Sequence, residues 1–141
     1  KTGLTPGQLL KDDDQMVVVQ ATMLCDGYNG GTGATATNKF LANFSESPNK
    51  NLLDEVGLTF DALNQIVPEK NKALKKAMIP CVIAAMYPIR NDKEKLAKFS
   101  ISFNEFLNRT SGPSEYDKYS SVHTSSAMNT QGRIEFFKQM I

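Results

Sequence analysis

Apolar residues recur at helical spacing along most of the chain, and the clearest run lies in 91–113, NDKEKLAKFSISFNEFLNRTSGP. Leu96, Phe99, Phe103, Phe106 and Leu107 fall at i, i+3, i+7, i+10 and i+11, which predicts one apolar stripe on an amphipathic helix. Asn91 with Glu94 three residues on gives a start resembling a capping box, and Gly112-Pro113 supplies the stop. Three of the eight phenylalanines sit in this element, so it is expected to run through the middle of the core. A core helix with no further role fits the same pattern.

The other segments read as shorter helices joined by polar breaks. Residues 1–11 carry Gly and Pro punctuation and read as an arm or loop. A helix is expected over about 13–25, opened by Asp12-Asp13-Asp14 and facing the core with Met16, Val19 and Met23. Residues 26–38, DGYNGGTGATATN, hold four glycines among small polar neighbours and predict no regular element. A helical turn over 39–44 and a loop over 45–51 follow. A short helix over 58–67 has Thr59 as a possible cap and stops at Pro68. Residues 69–87 form an amphipathic run with Lys70, Lys72, Lys75 and Lys76 on its polar face, kinked or split by Pro80. Tyr116, Tyr119 and His123 suggest a helix within 114–128, residues 129–132 a break, and Ile134, Phe137 and Ile141 a final helix over 131–141. No repeat appears and no stretch alternates for long, so the expected fold class is all-α, one compact multi-helix domain spanning 1–141.

Length and composition agree with that reading. A chain of 141 residues with 40% apolar and 22% charged residues is large enough to bury a core without staples. The longest apolar run, 79–87, is broken by Pro80, so no membrane span and no secretion leader are expected. A start at Lys1 without Met suggests a fragment or a trimmed product. The net charge of +1 hides an uneven distribution: residues 1–67 hold four lysines against eight carboxylates, and residues 68–98 hold eight cations against three. Such asymmetry suits head-to-tail contact between copies or a strip that binds a polyanion; an ordinary solvated surface is the plain alternative.

Catalytic and metal-binding constellations are missing. The one histidine, His123, has hydroxyl neighbours but no acid in a matching motif. There is no HExxH, CxxC, GxSxG or EF-hand pattern, and the glycine-rich 26–38 segment holds neither GxxxxGK[ST] nor GxGxxG. Cys25 and Cys81 have no metal-ligand spacing and read as buried free thiols. Neither an enzyme nor a cofactor is expected.

Several segments in order resemble the coat-protein core of flexible filamentous plant viruses of the potyvirus type. Asp12-Asp13-Asp14-Gln15-Met16-Val17-Val18-Val19, then Met23 and Cys25, then an Asn-Gly-Gly-Thr loop, resemble that family's acidic-Gln-Met opening helix and Asn-Gly-Thr loop. Leu58-Thr59-Phe60, Arg90-Asn91, Leu96-Ala97-Lys98-Phe99 and Phe103-Asn104 follow in the family's order, as do Thr110-Ser111, Pro113, His123, Ala127 and Arg133. The likeness covers roughly 12–136, and it rests on colinearity, not on any single motif. It departs where the chain lacks the family's Trp, where Asp61 stands at the family's Arg, and where Asn104 replaces its Asp.

The resemblance implies a helical core with terminal arms that dock on neighbouring subunits, located in the virion and the host cytoplasm. It implies polymerisation into a flexuous helical capsid around single-stranded RNA, without sequence readout. The implied RNA-binding residues are Thr32, Gly33 and Thr35 in the glycine-threonine bend, Asn104 and Arg109 on the 91–108 helix, Arg90 just before it, and Lys72, Lys75 and Lys76. With Asp61 at the Arg position, Arg90 or Arg109 is expected to supply the missing cation. A monomeric all-α adaptor that binds a protein partner is the other reading, with the lysines then only a solvated face.

Overall fold

A computed structural model describes residues 15–109, 115–120 and 125–141, and among them every regular element is helical. The six α-helices are α1 (Gln15–Cys25), α2 (Ala34–Glu46), α3 (Lys50–Ile66), α4 (Ile79–Met86), α5 (Lys93–Leu107) and α6 (Ala127–Lys138). Short 3-10 helices lie at Tyr87–Ile89 and Glu115–Tyr119. The all-α expectation agrees with this.

The centre of the molecule is α4, not α5. Seven of the eight residues of α4 are buried, so the helix is apolar around its whole circumference and needs cover on every side. That cover comes from α1, α3 and α6, all of which pack against it. The single kinked helix expected over 69–87 does not form. Residues 67–78 are a connector of turns, with Asn71 Oδ1 accepting from the Ala73 amide and Lys75 O from the Met78 amide. Pro80 falls in the first turn of α4, where a missing N–H breaks no helical hydrogen bond. Lys70, Lys72, Lys75 and Lys76 therefore sit on the connector and not on a helical face.

Cover from α1 comes from Val17, Ala21 and Leu24, with Met23 also fully enclosed, whereas Met16 is exposed. The helix ends in a left-handed turn: Gly27 has φ +92°, its amide donates to Leu24 O, and the Tyr28 amide reaches Met23 O. That pair of bonds is a Schellman stop, and the positive φ suits Gly. The irregular segment ends sooner than expected. Gly33 caps α2, whose first turn is steadied by the Thr37 hydroxyl donating to Gly33 O and Ala34 O.

Only Ser47, Pro48 and Asn49 separate α2 from α3, in place of the expected loop over 45–51. Asn49 caps α3 by accepting from the Leu52 amide. The helix is 17 residues long, and Thr59 is interior: it is fully buried and its hydroxyl donates to Glu55 O. Leu52, Val56, Thr59 and Leu63 form its buried stripe at i, i+4, i+7 and i+11.

The expected stripe of α5 is buried at Phe99, Phe103, Phe106 and Leu107, with Leu96 half-buried. The cap is Asp92, whose side chain accepts from the Lys95 amide, and not Asn91. Phe99 and Phe103 stack at 5.3 Å, and Phe106 meets Tyr116, Phe136 and Phe137 at 5.1–5.9 Å. α6 runs straight through the expected break at 129–132, opened by the Ser126 hydroxyl accepting from the Asn129 amide. Gly132 fits there because the Tyr119 ring occupies the space a Cβ would need. In place of the helix expected over 114–128 there is the 3-10 turn Glu115–Tyr119, and His123 lies outside the described residues.

Phe103 is wholly enclosed, so Phe103→Ala is expected to cost about 3–5 kcal/mol in chemical denaturation. A loss well under 1 kcal/mol contradicts this packing.

Candidate nucleic-acid interface

The glycine-threonine bend is held in place from two sides. The Thr32 amide donates to Ser125 O at 2.8 Å, and Gln20 Nε2 donates to Thr32 O at 3.0 Å. Gly31 lies so close to the Ser125 carbonyl that a Cβ would strike it. The bend thus bridges α1 to the segment entering α6, although these are about a hundred residues apart in the chain.

Beside the bend is a cleft of about 270 Å³. Its apolar wall comes from Met16, Val17, Ala77 and Pro80, and Cys81 lies at the wall of α4. The polar groups are Gln20, Thr32, Lys76, Ser125 and Arg133. The described lining residues therefore supply two cations, two hydroxyls and an amide, with no carboxylate among them. Arg133 is 2% exposed, and its Nη1 donates to Tyr119 O at 2.6 Å. The Cys81 thiol lies against Thr130 O; burial pushes its pKa up and the neighbouring Arg133 guanidinium pulls it back in part. A protonated thiol at this wall leaves the positive character of the cleft intact.

Thr32 and Lys76 are the two expected site residues that this cleft brings together. Gly33 is the α2 cap, and Thr35 is exposed on the first turn of α2. Lys72 and Lys75 are exposed on the connector. The residues expected from the 91–108 helix do other work. Asn104 Nδ2 donates to Ile66 O at 3.1 Å and to Ser100 O at 2.9 Å, tying α5 to the end of α3. Arg109 donates to Phe106 O, pairs with Asp117 at 3.4 Å and lies over the Phe106 ring. Arg90 pairs with Glu55, donates to Tyr87 O at 2.7 Å and covers the Tyr87 ring at 4.2 Å. No residue of α5 lines the cleft at Thr32.

Three contributors, Gln20, Ser125 and Arg133, were not among the expected site residues. Arg133 alone left a trace in sequence, as a colinear anchor of the coat-protein resemblance. Tertiary folding brings Gln20 and Ser125 in, and no local pattern marks either.

A second, more open depression of about 830 Å³ is lined by Asp26 after α1, by α2, and by the α2–α3 turn with the start of α3. Phe40 and Phe44 stack at 5.5 Å in its lining, and its two charged lining residues are Lys50 and Asp26. Its charge is balanced, so it favours an anion less than the cleft does.

Among the described residues no group of three or more His, Cys, Asp or Glu is placed to hold a metal, and no helix is long and apolar enough to cross a membrane. Comparison of the chain with protein-family models, with characterised proteins and with solved structures gives no match.

Cys25 is half-buried at the end of α1, and burial pushes its thiol up to about 12, partly offset by the Arg90 guanidinium. The folded pKa lies above the ordinary value of 9.0, so stability is expected to fall as pH rises past that value, where the unfolded chain releases its proton first. At pH 8 a disulfide reagent should label the folded chain on the order of a hundredfold more slowly than the urea-unfolded chain. Equal rates contradict the burial of both thiols.

Proposed function

We propose that this chain is a coat-protein subunit that polymerises around single-stranded RNA and holds the phosphate backbone without reading sequence. The observation that carries the reading is the cleft at the glycine-threonine bend: Lys76 and Arg133 line it with Thr32, Ser125 and Gln20, and the described lining residues include no carboxylate. Cations, hydroxyls and amides bind phosphates and sugars whatever the bases are. At about 270 Å³ the cleft sits near the lower end of small-ligand sites, enough for one backbone unit per subunit and not for a long strand. Packaging then depends on repetition. An all-helical core and the colinear sequence resemblance support the same reading, and a net charge of +1 keeps repulsion between neighbouring subunits low.

The groove proposed here differs from the one expected from sequence. Arg133 and Lys76 line the cleft at the bend and Arg90 and Arg109 do not, so the cation compensating for Asp61 is assigned to Arg133 with Lys76. A protein-binding adaptor remains the second reading, favoured by the exposed apolar side chains Leu41, Leu53, Leu58, Ile101 and Met128.

A mobility-shift titration with a 20-nucleotide oligouridylate separates the two. At about 0.05 M salt the full chain should shift the RNA, and Lys76→Glu should weaken binding at least tenfold and lower the salt slope by about one. Absence of any shift with the wild-type chain, or unchanged affinity in Lys76→Glu, overturns the reading.

A further inference from the structure

Two neighbouring segments carry exposed charges of opposite sign that form no ion pair with any described residue. From 51 to 66 the chain has three carboxylates and no cation; from 67 to 78 it has four lysines and one carboxylate. Glu55 is taken up by Arg90. Asp54 and Asp61 are exposed on the outward ridge of α3 and form no ion pair with any described residue, and the same holds for Lys70, Lys72 and Lys75 on the connector. By contrast, Lys118 and Lys138 each pair locally with Glu115 and Glu135.

The acidic ridge is also apolar. Asp54, Gly57 and Asp61 follow one another at i, i+3 and i+7, with Leu53 and Leu58 on the two shoulders at 41% and 59% exposure. Nothing lies near the position of a Cβ at Gly57, so the middle of the ridge is open to close approach. Gly in mid-helix weakens the helix, and no described neighbour packs against this one to offset that. Across from such a ridge, the complement needs spaced cations on flexible apolar stems. The connector offers that: lysine stems cover apolar surface while their ammonium groups reach carboxylates, and Pro68 and Ala77 are exposed beside them.

We infer that the acidic, leucine-flanked ridge of α3 in one copy docks on the lysine connector of the next, and that this is a head-to-tail contact between copies of the chain. The two patches differ, so the contact is heterologous, and unless its rotation closes it propagates into an open helical array. The inference rests on the assembly half of the proposed function and gives it an interface. It also divides the lysines: Lys76 faces the cleft, while Lys70, Lys72 and Lys75 face the neighbouring copy.

The test is sedimentation velocity on full-length chains without RNA, at about 0.05 M and about 0.5 M salt. Wild type should associate at low salt and dissociate at high salt. The double variants Asp54→Lys/Asp61→Lys and Lys72→Glu/Lys75→Glu should each lower the association constant at least tenfold, with the helical circular dichroism unchanged. An equimolar mixture of the two should restore association, since each then offers the patch the other needs. A wild type that stays monomeric at low salt, a double variant that associates normally, or a mixture that fails to recover overturns the interface. Oligouridylate binding by Asp54→Lys/Asp61→Lys is measured alongside. Retained RNA binding with failed recovery removes the interface alone, whereas charge-specific assembly without any RNA shift removes the packaging reading alone.

Discussion

α4 has no side that tolerates water, and the rest of the fold follows from covering it. Seven buried residues in eight mean that three separate helices must close around Ile79–Met86. Each fully buried Val, Ile or Met side chain is worth roughly 1.5–3 kcal/mol relative to exposure. Burial of that size outweighs the weak propensities of the sheathing segments, including the β-branched Val17-Val18-Val19 of α1. α5 then closes against the aromatic cluster and the end of α3, where Asn104 fastens it.

That arrangement sorts the cations by role. Arg90 and Arg109 lie over aromatic rings and pair with carboxylates of neighbouring elements, so their guanidinium groups brace the 3-10 segments. Arg133 is buried close to α4, and Lys76 stands at the end of the connector just ahead of that helix. The cleft at the bend is therefore a by-product of sheathing α4: its walls are α1, α6 and the start of α4, and Thr32 bridges α1 to the segment entering α6. In the proposed capsid subunit, the element that organises the core also fixes the spacing of the phosphate-binding groups.

What was legible in the chain follows the strength of local signals. The α5 stripe was readable because four buried positions recur at helical spacing and a polar start and stop bound them. The last helix was readable in Ile134 and Phe137, but its true start was hidden because Gly132 looks like a break until the Tyr119 ring is seen beside it. The first half of α3 was missed although Leu52 and Val56 continue the stripe of Thr59 and Leu63, because Ser-Pro-Asn punctuation just upstream suggested a longer loop. The four glycines of 26–38 argue against a regular element, yet all of them precede Ala34, and from there the Thr37 hydroxyl is satisfied by backbone carbonyls of the first turn of α2. The apolar pattern of 69–87 was real, but Leu74 and Met78 reach the core from turns, and periodicity does not distinguish a turn from a helix there. At the cleft, Thr32 is reachable through the coat-protein resemblance and Lys76 through the lysine cluster. Gln20 and Ser125 are reachable through neither, because they join Thr32 through long-range hydrogen bonds that leave no trace in spacing.

Electron microscopy of the full chain mixed with single-stranded RNAs of two different lengths tests the central claim most directly. Packaging by repetition predicts flexuous rods whose contour length grows in proportion to the length of RNA supplied. Discrete particles with both RNAs, or rods whose length ignores the RNA, would contradict it.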